Sequence, residues 1–167
     1  VDGLSSACRD LQRAEFLLKK YGDLEGPSET HYAGRFYGAR CFLRFAMLDA
    51  KNKEPSKSQR KQLKEDSRAA HDHNNRVPYG RLAGKYCEAY CQYRLCLKAS
   101  RPSDELRISL SLIDQAEHEI NQPEPMVKAK LDGLRHLVHK KLADLGVEGV
   151  NPNLYLKSYT EAVGRLK

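Results

Sequence analysis

The chain has 167 residues and a formal net charge of +7, with 40% hydrophobic and 31% charged side chains. That length supports a core of its own, and the balance excludes a disordered tail or a membrane-embedded bundle. No apolar run approaches the ~20 residues needed to span a bilayer.

Residues 1–5 carry neither the basic nor the apolar region of a signal peptide. With no initiator methionine, they read as the edge of a piece cut from a longer protein. Apolar residues at three- and four-residue steps (Leu4, Ala7, Cys8, Leu11, Ala14, Leu18, Tyr21) predict a first helix over 3–21. Gly22 stops it, and Gly26-Pro27 makes a loop. A second helix over about 29–50 is apolar on most sides, with Phe36, Cys41, Phe42, Phe45, Met47 and Leu48. Such a helix is central, covered on several faces.

Residues 51–57 form a polar linker in which Pro55 blocks helix continuation. Ser58 is expected to cap a third helix to His73, with Asn74-Asn75 ending it. Its apolar content is only Leu63, Ala69 and Ala70, so it is expected to be mostly solvated. A fourth helix starts near Pro78 and runs to about Ala99. Its buried side is expected to be Leu82, Ala83, Tyr86, Ala89, Tyr90, Tyr93, Cys96 and Leu97, and its wet stripe Arg81, Lys85, Glu88 and Gln92. Pro102-Ser103 opens a fifth helix that runs past Ile120 and ends before Pro123, with Asp104 and Glu105 in the first turn, where the helix dipole favours acids. A sixth helix spans about 124–145 with Gly146 as its C-cap. Asn151-Pro152 caps a seventh, to Leu166. No stretch alternates with period two, so no strand is predicted.

The five cysteines, Cys8, Cys41, Cys87, Cys91 and Cys96, are odd in number and sit among apolar neighbours in helical stretches. They read as reduced core residues, which points to the cytoplasm or nucleus. Cys87 and Cys91 share a helix face, but core packing is preferred to a metal site there.

An internal repeat is visible at an offset of 46. Residues 34–41 and 80–87 share the pattern G-R-(F/L)-x-G-x-x-C. Gly34 and Gly38, like Gly80 and Gly84, lie four apart on one face. Glycine inside a helix costs ~1 kcal/mol relative to alanine, so two such pairs predict a close approach of another backbone. Intramolecular helix packing is the first reading, and a homodimer seam the second. Small residues at Gly38 and Gly84, aromatics one turn on, and Ala70, Ala116 and Ala162 in the partner helices resemble the tetratricopeptide repeat (TPR) over about residues 30–166. The chain departs from that family in its period of 46 rather than 34, its longer helices and its lack of tryptophan. The resemblance implies helical hairpins and a groove that holds a partner peptide.

The predicted fold is therefore all-α, with about seven helices in stacked antiparallel hairpins, as a TPR-like superhelix or a helical bundle. It is read as a single domain over 1–167, with hairpins at 29–74, 78–121 and 124–166 and helix 3–21 as an N-terminal cap.

No phosphate-binding loop, nucleophile elbow or H-E-x-x-H motif occurs, and the chain is read as a non-enzymatic module with no cofactor or metal. His71 and His73 point about 200° apart around a helix and cannot share an ion there. His136 and His139, at i and i+3, lack a third ligand nearby. Arg68-x4-His73 resembles the Arg–His motif of HEPN ribonucleases, a distant third reading.

Charge is the stronger signal. Residues 51–100 carry 12 basic and 5 acidic side chains, while the flanking stretches balance, so the whole excess sits in the middle. Arg60, Lys64 and Arg68, at i, i+4 and i+8, are expected to form one ridge with Lys57 and Lys61 beside it, in a patch that Arg76, Arg81 and Lys85 extend. Glu65 and Asp66, or an external anion, are expected to offset its self-repulsion. The first functional reading is a scaffold for a protein partner with an acidic surface or peptide. One groove wall is expected from Tyr32, Phe36, Arg40 and Arg44, and the next from Arg81, Lys85 and Gln92. The alternative is RNA or DNA bound by the 51–85 segment through Lys57, Arg60, Lys61, Lys64, Arg68 and Arg76. No membrane partner is expected, and the oligomeric state is left open.

Overall fold

The computed structural model describes residues 2–21, 27–76, 80–119 and 125–164. Seven α-helices make up most of the described residues: α1 (Asp2–Tyr21), α2 (Pro27–Ala50), α3 (Lys57–Asn75), α4 (Arg81–Leu95), α5 (Pro102–His118), α6 (Pro125–Asp144) and α7 (Pro152–Gly164). A 3-10 turn, Cys96–Lys98, follows α4. No strand occurs among the described residues, and the fold class is all-α, as the periodicity predicts. The features expected at Gly22, Gly26, Pro78, Ile120, Pro123 and Leu166 lie outside the described residues, as do the side chains of Leu18, Tyr21 and Ala162.

Local chemistry sets the ends of the helices. The cap of α3 is Ser56, not the expected Ser58. Its hydroxyl accepts from the Gln59 backbone at 3.3 Å, and Gln59 Oε1 accepts from the Ser56 backbone N–H at 2.9 Å. This reciprocal box satisfies two donors that a helix start leaves orphaned. Asn74 and Asn75 belong to the last turn of α3 rather than terminating it, and Arg76 is the C-cap. At the end of α2, Asn52 takes the left-handed conformation (φ 47°), so that Lys53 N donates to Leu48 O and Asn52 N to Asp49 O. Gly146 (φ 76°) does the same for α6, with Val147 N on Leu142 O and Gly146 N on Ala143 O. Both turns are Schellman motifs, which close otherwise unpaired carbonyls. The fourth helix stops four residues short of Ala99, where it tightens into the 3-10 turn.

The chain divides into two compact units, Val1–Cys91 and Gln92–Lys167. The hairpin expected over 78–121 straddles that division.

In the first unit, sequential helices run in opposite directions. Cys8 meets Met47 and Glu15 meets Arg40 between α1 and α2. Gly34 faces Asn74, and Arg40 faces Asp66, between α2 and α3. His71 meets Glu88 between α3 and α4. As its all-round apolarity predicts, α2 is central. It buries Phe36, Cys41, Phe45 and Leu48, and its Phe42 and Phe45 rings pack 5.3 and 5.5 Å from that of Tyr90. As expected, α3 is solvated along most of its length, but its inner face carries polar as well as apolar groups. It buries Leu63, Asp66, Ser67, Ala70 and Asn74. The packing that admits this polar face is close, because the glycines leave room. A Cβ on Gly34 would sit 2.5 Å from Asn74 Oδ1, and one on Gly84 2.9 Å from Asn74 Cβ and 3.0 Å from His71 Cα.

In the second unit, α5, α6 and α7 also alternate in direction. Asp114 and Glu117 of α5 meet Arg135 and Lys128 of α6. Ser158 and Pro152 of α7 meet Asp132 and His136 of α6. The Tyr159 ring lies on Gly133, where a Cβ would stand 3.1 Å from it. Leu106, Ile113, Ala116, Leu131, Val138 and Leu142 are buried, and burial of each larger aliphatic side chain stabilises by about 1.5–3 kcal/mol.

Candidate interaction surface

α3 presents two charged faces with different fates. Its buried line, Leu63, Asp66, Ala70 and Asn74, recurs at three- and four-residue steps. Lys57, Lys61, Lys64 and Arg68 recur at four-, three- and four-residue steps and are all exposed. At 100° per residue these four fall within an arc of about 60°, roughly opposite Asp66. This exposed basic ridge differs from the expected line through Arg60, Lys64 and Arg68, because Arg60 is partly turned inward. Within the ridge Lys61 pairs with Glu65 at 3.8 Å, between two solvated side chains, a contact worth about 0–1 kcal/mol. Arg60 is half-buried and donates to Pro55 O at 3.0 Å. Arg76 is exposed at the helix end.

Asp66 corrects one expectation. It does not offset the ridge. It is 2% exposed and receives two bonds from Arg40, at 2.6 and 3.1 Å, and a third from Arg44. Arg40 reaches on to Glu15 at 3.2 Å and lies over the Phe36 ring at 4.9 Å and the Tyr37 ring at 5.2 Å. Burial opposes charge on Arg40, but the hydrogen bond and field of Asp66 outweigh it and hold the guanidinium above its ordinary pKa. Arg40 and Arg44, expected on a groove wall, are thus committed to a carboxylate inside the fold, and Phe36 is buried with them. Tyr32 alone of that wall stands exposed.

The expected wet stripe of α4 is also revised. Lys85 is 8% exposed. Arg81 is half-buried, with Nε on Asn75 O at 3.3 Å. Glu88 pairs with His71. Gln92, in the second unit, is half-buried, and its Oε1 is buried without a partner. Ala83 and Leu97, expected inside, are exposed.

Several histidines and cysteines serve packing. His73 stacks on Tyr37 at 5.6 Å, and its Nδ1 is buried without a partner. Burial, helped by Arg76, keeps His73 below its ordinary pKa. Arg68 is exposed and His73 half-buried, about 140° apart around α3. His136 Nδ1 lies 3.0 Å from Pro152 O, and the His139 ring lies 4.4 Å from that of Tyr155. Cys41, Cys87 and Cys91 are buried, as the core reading of the sequence has them, and all five cysteines are free. Cys41 and Cys91 both direct Sγ at Leu63 O, at 3.9 and 3.6 Å. Among the described residues no group of three His, Cys, Asp or Glu side chains is placed to hold a metal, and no helix is long and apolar enough to cross a membrane.

Sequence reasoning missed a second buried charge cluster. In the second unit, Asp132 is 1% exposed and accepts from Lys128 (3.1 Å), Arg135 (3.1 Å) and Ser158 (2.6 Å). Arg135 also binds Asp114 at 2.9 Å and Glu117 at 2.7 Å. Desolvation would raise the pKa of Glu117, but bonds from Lys128 and Arg135 prevail and hold it below the usual range. Lys128, Asp132 and Arg135 at i, i+4 and i+7 are the trace of this cluster in the sequence.

No family model, no curated protein and no solved structure matches the chain. The likeness to tetratricopeptide repeats rests on its residues alone.

Proposed function

We propose that this protein is a non-catalytic helical module that binds an acidic segment of a protein partner along the exposed basic face of α3. The observation that carries this reading is the alignment of Lys57, Lys61, Lys64 and Arg68 in solvent while Asp66 of the same helix is turned inward. A one-signed ridge of this kind steers an oppositely charged partner and fixes its register. Glu65 and Asp72 border the ridge and are exposed. They interrupt a continuous phosphate track more than they hinder a peptide whose carboxylates are spaced, which favours protein over RNA or DNA. The antiparallel packing of α2 on α3 and of α6 on α7 supports the hairpin-repeat reading. His73 and His139 pack against tyrosine rings and the thiols of Cys41, Cys87 and Cys91 are buried, which supports a binding role over a catalytic one. Free, buried cysteines support a reducing compartment, cytoplasmic or nuclear.

The test is fluorescence anisotropy with two labelled probes, a glutamate-rich peptide and a single-stranded RNA, titrated in rising salt. The peptide is expected to bind and to lose affinity as salt rises, and the triple variant K61E/K64E/R68E is expected to abolish binding while melting like wild type. Peptide binding that ignores the triple variant rejects the ridge. RNA binding tighter than peptide binding transfers the assignment to nucleic acid.

A further inference from the structure

The first unit has a cleft of about 310 Å³ where α2 turns into α3. Met47 gives it apolar surface over a floor of the buried Leu48 and Leu63, and Arg44, Lys51, Lys53, Glu54, Gln59 and Gln62 complete it. A second depression of about 230 Å³ between α1 and α2 adjoins it and shares Arg44 and Met47. A volume near 300 Å³ is the lower limit for small-molecule sites, so the cleft has room for one large side chain and little more.

Three features distinguish this cleft from an ordinary surface dip. Its wall is fixed at both ends. The Schellman turn at Asn52 locks Lys51–Lys53 to α2, and the Ser56–Gln59 box together with the Arg60 bond to Pro55 O locks the chain to α3. A wall already in place spares a ligand the entropy of ordering it. Its available charge is basic in excess, two lysines to one carboxylate. Arg44 is committed to Asp66, Lys51 and Lys53 are exposed, and Glu54 is the single acid among the lining residues. It also adjoins the proposed binding face, because Lys57, the first ridge residue, follows this turn directly.

We infer that the cleft at the α2–α3 turn anchors the acidic segment by seating one large apolar side chain on Met47, Leu48 and Leu63, with the flanking carboxylates on Lys51 and Lys53. This deepens the proposed function and rests on it. It specifies the partner chemistry: acidic residues interrupted by a single phenylalanine- or leucine-sized side chain, rather than a plain polyanion. The ridge supplies encounter, and the cleft supplies register.

The experiment compares two fluorescein-labelled glutamate-rich peptides, one with a central phenylalanine and one with alanine there, on the full chain. Wild type is expected to bind the phenylalanine probe about tenfold tighter, the gain of burying a ring against leaving it in water. K51E/K53E, on the exposed turn, is expected to lose that preference. K61E/K64E is expected to weaken both probes by one factor and keep their ratio. Equal binding of the two probes to wild type overturns the anchor while leaving the ridge intact, as does a preference that survives K51E/K53E. A preference that persists while K61E/K64E changes nothing rejects the ridge and leaves the cleft standing.

Discussion

Asn74 of α3 occupies the space that a side chain on Gly84 of α4 would need. A Cβ there would stand 2.9 Å from Asn74 Cβ, 3.0 Å from His71 Cα and 3.2 Å from Ala70 O. Gly34 of α2 meets the same Asn74 from another direction, with its hypothetical Cβ 2.5 Å from Oδ1. One buried asparagine therefore explains a glycine in each of two helices. The 46-residue repeat is consequently not symmetric in its use. Gly84 in the second copy makes close contacts, while Gly38, its counterpart in the first, has only Ala70 Cβ at 3.9 Å.

The asymmetry gives substitutions of opposite sign. Gly84→Ala places a methyl against backbone atoms that cannot swing aside. Overpacking of that kind costs about 1–3 kcal/mol, more than the ~1 kcal/mol alanine returns in helix propensity, so its melting temperature falls. Gly38→Ala meets ordinary van der Waals space, keeps the propensity gain and melts higher. Thermal melts of the two variants beside wild type decide it, and a stabilised Gly84→Ala contradicts this packing.

Asp66→Ala leaves Arg40 and Arg44 facing a site without its carboxylate. Breaking a buried pair costs about 3–5 kcal/mol, and the partial exposure of the two arginines (17% and 28%) favours the lower figure. Glu65→Ala, one residue away on the wet side, removes only a solvated pair and stays within about 0.5 kcal/mol. Urea midpoints of the two variants are expected to differ accordingly. Similar midpoints would show that Asp66 does not hold α2 to α3.

The helices were legible because three- and four-residue apolar steps survive in every one of them, and turns at Gly146 and Pro152 carry their own chemistry. Charge partners were not. Arg40 and Asp66 are 26 residues apart, and nothing in a helical pattern says which turn of one helix meets which turn of the next. A local sign was available for Asp66, which stands three residues after Leu63 and four before Ala70, on the apolar line rather than the basic one. Composition outweighed that register, since a helix with so few apolar residues reads as solvated. Composition hides Lys85 in the same way, since its burial follows from its position beside Gly84 and not from its charge.

Burial holds His73 below its ordinary value of 6.5, aided by Arg76 and opposed by Asp72. His139 is likewise lowered, by burial and then Arg135. The unfolded chain therefore takes up protons first as pH falls below about 6.5. Stability from these groups is complete above that value and is lost as pH drops through the lower folded values. The melting temperature is expected to decline between pH 7 and pH 5.5. His73→Phe, which keeps the stack on Tyr37, should flatten part of that decline. An equal slope in the variant excludes His73 as a source.

Cys41 is raised well above the ordinary thiol value by its bond with Cys87 and by burial, and Cys91 by its bond with Cys41 and by burial. Cys96 is raised by burial. The thiolate is the reactive form, so these groups are both shielded and protonated at pH 8, whereas Cys8 is only half-buried, 3.2 Å from Met47 Sδ. Iodoacetamide on the native protein is expected to modify Cys8 alone, and all five cysteines after denaturation. Raised folded values also mean that stability is complete below pH 9 and falls as pH climbs from there toward the folded values. Rapid native labelling of Cys41 or Cys91, read by peptide mass spectrometry, would mean that the seam where both thiols meet Leu63 O opens on the labelling timescale.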